Sequence, residues 1–304
     1  MMLQTLLTWT LAVVTALSLA FAPGKALGPD WLKPTDRIRI SFVGDCTLGS
    51  EEQYQNHPRN FVSMIANLGM EYPFLSVRAV FLSDDLTLAN LEGTFTDRTR
   101  ASDKSFVFRA PAEYAKILSL GGVEAVNLAN NHTLDYGVNG LADTKQALSL
   151  AGVLYSGSGD LAVYESKGVR IGMTGYGYPH SNTAEALARD IPLLREMGCQ
   201  IVIVSMHAGR EESQTLIRDQ TKVAHAAIDL GADVVVGHHP HVLQGIEIYE
   251  GKPILYSLGN FSFGGNANPD DWDTVLAQME FDVHEDGTVS PVLLRLLPCV
   301  ISGA

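Results

Sequence analysis

Five times along this chain, an apolar run ends in residues of the kinds that ligate metals, and this recurrence narrows the fold more than any other feature. Arg37-Ile-Arg-Ile-Ser-Phe-Val43 leads into Gly44-Asp45, and Leu86-Thr-Leu-Ala-Asn-Leu91 into Glu92-Gly93. Ala125-Val-Asn-Leu-Ala129 leads into Asn130-Asn131-His132-Thr-Leu-Asp135. Ile201-Val-Ile-Val-Ser205 leads into Met206-His207, and Asp233-Val-Val-Val236 into Gly237-His238-His239-Pro240-His241. Short, nearly continuous apolar runs suit strands buried on both faces, as in parallel sheets. Val169-Arg-Ile-Gly-Met-Thr174 reads as one more strand. Helical periodicity fills the gaps over Pro111–Leu120, Val138–Ala151, Ala184–Met197 and Gln214–Leu230. Strands alternating with helices of that length imply βαβ units and a largely parallel sheet.

The last third changes style. Gly245–Ser257 reads as a hairpin around Glu250-Gly251-Lys252, and Val275–Val283 with Val289–Leu297 as another around Glu285-Asp286-Gly287. An α/β body completed by antiparallel strands predicts two mixed sheets packed together and flanked by helices, a four-layer αββα sandwich. The folded domain is expected over residues 37–298 as one unit. Residues 1–28 are set apart as a signal peptide or membrane anchor, because Leu6–Ala22 is apolar and uncharged with small residues at Ala20, Ala22 and Ala26. That leader predicts a protein exported to the periplasm or cell exterior, or held at the outer face of the cytoplasmic membrane.

In open α/β sheets, ligands bind outside the carboxyl ends of the strands. The five motifs would therefore meet at one edge. Two carboxylates, several imidazoles and an amide oxygen form a mixed N/O set suited to zinc, manganese or iron. There are more donors than one tetrahedral ion needs, so two divalent ions sharing a carboxylate are expected, a centre suited to hydrolysis. Cys46, Cys199 and Cys299 are odd in number and widely spaced, which excludes a disulfide framework and a thiolate zinc site. A net charge of −13 without a basic stripe argues against nucleic acid as a partner.

Several residues carry a plainer reading beside the functional one. His225 lies mid-helix and reads as structural, and His57, His180 and His284 as solvent-facing. Asp135 could cap the helix that starts near Gly137, a role compatible with supporting His132. His238 would face away from His239 if the strand continued, and Gly237 would let the chain turn. Cys46 reads as a small packed residue beside the site. Gly157-Ser-Gly-Asp-Leu-Ala162 fits a dinucleotide fingerprint but is followed by a strand, so the required helix N-terminus is missing.

Taken in order, Gly44-Asp45, Asn90-Leu-Glu92, Asn130-Asn-His-x-x-Asp135-Tyr-Gly, His207-x-Gly209, Gly237-His-His-Pro-His241-Val-x-Gln244 and Tyr256-Ser-Leu-Gly-Asn-Phe261 resemble the CapA / PgsA family of capsule synthesis. That family is linked to poly-γ-glutamate and is similar to the calcineurin-like metallophosphoesterases. The resemblance implies the same αββα fold, with Asp45, His207, His239 and His241 as metal ligands and Glu92 where the phosphoesterases place a bridging Asp. It further implies Asn131 as a metal ligand and His132 as catalytic acid, with Asp135 behind it. Arg109 matches a recurring arginine that could hold an anionic substrate; the competing reading is a surface arginine. Two departures stand out. Thr47 occupies the histidine position of the phosphoesterase Asp-x-His motif, and His207-Ala-Gly-Arg-Glu-Glu212 replaces the family's His-Trp-Gly-x-Glu-Tyr. The expected function is a metal-dependent hydrolase acting on an anionic polymer or phosphoester. The alternative is a non-catalytic, metal- and polyanion-binding accessory of a membrane-bound capsule synthesis complex.

Overall fold

A computed structural model describes residues 17–20, 34–51, 57, 60–177, 182–265 and 269–301. The first sheet has β2 (Pro34–Thr47), β4 (Leu86–Leu91), β7 (Ala125–Asn127) and β8 (Leu154–Ser156) as a parallel run. Antiparallel β16 (Asp273–His284) and β17 (Val289–Val300) extend it on the other side of β2. β15 (Asn260–Phe263) pairs in parallel with the far end of β2, beyond the part that β16 covers. In the second sheet, β10 (Val169–Gly177), β11 (Ile201–His207), β12 (Val234–His238) and β14 (Lys252–Leu255) run parallel. β9 (Ala162–Ser166) and β13 (Ile246–Tyr249) close its two edges antiparallel.

Strand alternation assigns each side chain to a layer. Ile38, Ile40 and Phe42 of β2 meet Ile171, Met173, Ile201, Ile203, Val234 and Val236 between the sheets. Val43, Ala89, Leu91 and Val126 point outward instead. They pack on α1 (Phe61–Leu68), α3 (Ala115–Gly121) and α4 (Gly137–Ala151) through Phe61, Ile65, Ile117, Leu118 and Leu148. On the far side, Val202, Val204, Met206 and Val235 pack on Leu187, Ile191 and Leu194 of α5 (Thr183–Glu196) and on Ala224 and Ala227 of α6 (Arg218–Asp229). Each buried Leu, Ile or Val contributes about 1.5–3 kcal/mol relative to exposure. Three apolar layers between four structural ones make the expected αββα sandwich.

The ends of elements differ from the sequence reading. Helix α6 starts at Arg218 and not Gln214. Pro111–Leu120 begins as a 3₁₀ turn at Ala112–Tyr114 before α3. Helix α1, a short α2 (Arg78–Phe81) and a small sheet of β3 (Ser50–Glu51), β5 (Thr94–Phe95) and β6 (Phe108–Ala110) had no clear periodicity to announce them. Of the expected leader, Leu17–Ala20 add to the edge of the first sheet as β1, with Leu17 opposite Leu296; the other residues of that segment lie outside the described ones. Among the described residues, no helix is long and apolar enough to cross a membrane.

Candidate metal centre

The strands deliver their terminal residues to one edge because both sheets run their parallel strands the same way past each other. At Gly44, a Cβ would run into the Gly259 carbonyl oxygen, so only glycine permits that approach. The approach lets the Asp45 N–H donate to Gly259 O (2.9 Å) and sets the Asp45 carboxylate, 0 % exposed, into the edge. A chain of buried amides holds it there. Asn127 donates to Asn90 Oδ1 (2.8 Å), and Asn90 donates to Asp45 Oδ1 (2.8 Å) while lying 3.3 Å from His207 Nδ1. The sequence does not single out Asn127, since an Asn inside an apolar run carries no motif.

The histidine loop after β12 is built differently from the sequence expectation. Gly237 stays in the strand, where a Cβ would run into Tyr256 O. The turn is made by the histidines themselves: His239 has φ +97° and His241 φ +59°, either side of Pro240. Left-handed backbone at a non-glycine residue is costly and persists where the surroundings hold it, most often at functional sites. Here the His239 N–H donates to Asp45 Oδ2 (3.1 Å), and His241 Nδ1 lies 2.8 Å from Asn260 Oδ1. His238, still in the strand, is buried with Nδ1 3.4 Å from Asp45 Oδ1.

These constraints bring ligand atoms together in overlapping groups, each within 4.8 Å: Asp45, Glu92 and His241; Glu92, His207 and His239; and Glu211, His239 and His241. Glu92 is 0 % exposed, and neither of its carboxylate oxygens has a hydrogen-bond partner among the described residues. Its Oε1 lies 3.6 Å from His207 Nε2, 3.8 Å from His241 Nε2 and 3.9 Å from His132 Nε2. Those distances are too long for hydrogen bonds. Two ligands of one tetrahedral ion, each at about 2.1 Å, stand about 3.4 Å apart. The donors thus fit divalent ions, with Glu92 common to two groups. Asn131 joins the second group, its Oδ1 2.7 Å from His207 Nε2.

The charges follow from this crowding. Burial pushes the Glu92 carboxyl up to about 8 against the pull of His241. Burial would also raise Asp45, but the His238 and His241 imidazoles, each with Nδ1 3.4 Å from its carboxylate, hold it well below the usual carboxylate range. His207 and His239 are lowered, chiefly by burial, which keeps them in the neutral form a metal ligand requires. His241 is the exception: burial opposes its charge, yet Glu92 and Asp45 raise it to about 10.

His132 sits beside the groups, with Nδ1 2.7 Å from Asp135 Oδ2 and its ring 4.3 Å from that of Phe108. Asp135 does not cap α4, whose cap residue is Tyr136. It is spent on His132, on the Phe108 N–H (2.8 Å) and on Lys104 Nζ (2.7 Å), which also donates to Asn131 O (2.7 Å). Lys104 was missed in the sequence, where a lone lysine in a loop has no signal. The structure also brings in Glu211, which the sequence showed only within a departure from a motif. Arg109 is outside the ligand groups but lines a small void with Glu92 and Thr47; its guanidinium donates to Arg98 O (2.9 Å) and lies over the Tyr136 ring. The cleft above the centre, about 770 Å³, is lined by His132, His241 and Asn260, by Phe106, Phe108 and Phe263, and by acidic groups such as Glu51, Glu211 and Asp271; no Lys or Arg is among its described lining residues.

Fold and site together define an αββα sandwich with a buried, mixed carboxylate–imidazole centre at its carboxyl edge. The profile of the "Bacterial capsule synthesis protein PGA_cap" family matches residues 39–265, and the chain belongs to that family. It is 34% identical over 276 residues to the "PGA biosynthesis protein CapA" of Bacillus subtilis (strain 168), covering 83% of this chain and 70% of that protein. It is 30% identical over 269 residues to the "Capsule biosynthesis protein CapA" of Bacillus anthracis, covering 79% of this chain and 63% of the relative. Among solved structures, Haemophilus influenzae NAD nucleotidase matches with a TM-score of 0.48 at 15% identity, over 88% of this chain and 50% of that one. TT1561 of Thermus thermophilus matches with a TM-score of 0.49 at 11% identity, over 84% of this chain and 98% of that one.

Proposed function

We propose that this chain is an exported protein of capsule or poly-γ-glutamate metabolism whose two-ion centre hydrolyses a phosphoester or amide bond. The observation that carries this reading is the buried Glu92 carboxylate, unpartnered among the described residues and shared by two donor groups. Divalent ions held there would activate water and polarise the bond to be cut. His132 would protonate the leaving group. Its Nδ1 is tied to Asp135, which leaves Nε2 free to act on the cleft side. Asp135 fixes the ring's tautomer, Lys104 fixes Asp135, and Phe108 confines the ring's tilt. The acidic cleft repels polyanions, so an anionic substrate binds there when the ions are in place. Export and attachment to a membrane-bound synthesis complex rest on the apolar run Leu6–Ala22 and on the relatives' names.

The second reading is an accessory that binds metal and polymer without turnover; Thr47 in place of a ligand favours it. The test is metal content and hydrolysis, by the purified protein, of a chromogenic phosphodiester and of poly-γ-glutamate. Turnover that falls about 10²–10⁴-fold in His132→Gln, at unchanged metal stoichiometry, supports the hydrolase. Bound metal without turnover of either substrate class supports the accessory. Absence of bound metal, with His239→Ala indistinguishable from wild type, overturns both.

A further inference from the structure

The two donor groups are unequal. Glu92, His207 and His239, with Asn131 beside His207, give one ion four donors. Asp45, Glu92 and His241 give the other three. Thr47, two residues beyond Asp45, is fully buried, and its hydroxyl has no hydrogen-bond partner among the described residues. It lines, with Glu92, a void of about 10 Å³. That space is about the size of a single water at most, so Thr47's side leaves little room for a solvent ligand. The cleft above offers a fourth donor.

We infer that Glu211 is that donor: its carboxylate ligates the ion held by Asp45, Glu92 and His241, taking up the coordination that Thr47 does not supply. This rests on the two-ion reading above. A Glu211 carboxylate oxygen already lies within 4.8 Å of a ring nitrogen of His241 and of one of His239. Its loop is clamped onto the histidine loop at several points. Ala208 N donates to His238 O (3.0 Å) and Glu212 N to Pro240 O (2.8 Å). Gln244 Nε2 donates to Ser213 O (2.7 Å), and Gln220 Nε2 bridges Ala208 O (3.0 Å) and Gln244 Oε1 (2.8 Å). Glu212 takes φ +58°, which reverses the chain directly after Glu211. Clamped loops hold a ligand's Cα in place, while the exposed side chain remains able to yield its position to a substrate oxygen.

Zinc or manganese titration of the metal-stripped protein by calorimetry, with bound metal counted by atomic emission, tests the assignment. Wild type is expected to bind two ions. Glu211→Gln should keep one ion at its original affinity and bind the other at least about tenfold more weakly. Glu212→Gln, one residue away on the same acidic rim, should match wild type. Two ions bound by Glu211→Gln with unchanged affinities would overturn the role of Glu211 and leave the two-ion centre standing. A wild-type protein that binds fewer than two ions overturns both. A matching loss in Glu212→Gln reduces the effect to rim charge and overturns ligation.

Discussion

The two edges of the same sheets treat buried charge in opposite ways. At the amino ends of the strands, Glu280, 3 % exposed, faces Arg37 and Arg39, each at 3.0 Å. Asp233 nearby takes the Arg195 guanidinium (2.6 Å) and the Val202 N–H (2.8 Å), and Asp85 takes Lys167 (3.1 Å) and the Arg39 N–H (2.9 Å). At the carboxyl ends, Glu92 has imidazoles at 3.6–3.9 Å and no hydrogen bond among the described residues. Folding alone favours the first arrangement, because a buried polar group left without a partner costs free energy, whichever protonation state it takes. The carboxyl edge therefore departs from what stability requires, and cation binding is what its geometry suits.

Equivalent substitutions of Glu92 and Glu280 should separate these roles. Glu92→Gln is expected to lower divalent-metal affinity by more than about 100-fold, the larger effect because one carboxylate serves two donor groups. The thermal midpoint of the metal-free protein should not fall, since no hydrogen bond to Glu92 is lost; a large drop would make Glu92 a structural residue. Glu280→Gln should do the reverse. Metal binding stays intact, while stability drops by about 1–3 kcal/mol in urea unfolding as Arg39 loses its carboxylate and Arg37 keeps only Asp282 (2.8 Å). Unchanged stability would mean that the amino edge is screened by solvent and not held by its pairs.

The smallest effect concerns Asp84, which sits at the paired edge with no cationic partner among the described residues. Burial raises its carboxyl to about 7, with one oxygen accepting from Thr87 Oγ1 (2.9 Å). The folded protein keeps this proton where the unfolded chain has lost it. Its contribution to stability is therefore fully present below about pH 4 and is lost as pH rises to about 7. Asp84→Asn should flatten that part of the profile, so that the thermal midpoint falls less between pH 5 and 8 than in wild type. Parallel profiles for the two proteins would count against a buried, proton-holding Asp84.

Much of this was legible beforehand, for local reasons. Apolar runs gave the strands: Leu86–Leu91 has the bounds read from its residues, and the two late hairpins pair as their turn residues implied. The site motifs could be read because five strand ends share one edge whenever the strands are parallel. What could not be read depends on contacts between segments far apart in the chain. Lys104 matters only because folding places it on Asp135, and Asn127 only because it meets Asn90. Glu211 matters only because its loop is clamped to residues 238–244. For Arg109, only the fold shows its contacts with Arg98 O and the Tyr136 ring.

The sequence by itself determined the layers, since side-chain period and run length are properties of a single segment, and it determined which edge collects the chemistry. Tertiary structure alone decided how that edge is wired. It set His239 and His241 into left-handed backbone around Pro240 and turned Asp135 from a helix cap into a support for His132. It also left Glu92 buried among imidazoles at the spacing of shared ligands. Those outcomes depend on ångström-scale distances between strands that the chain sets only when both sheets have closed on each other.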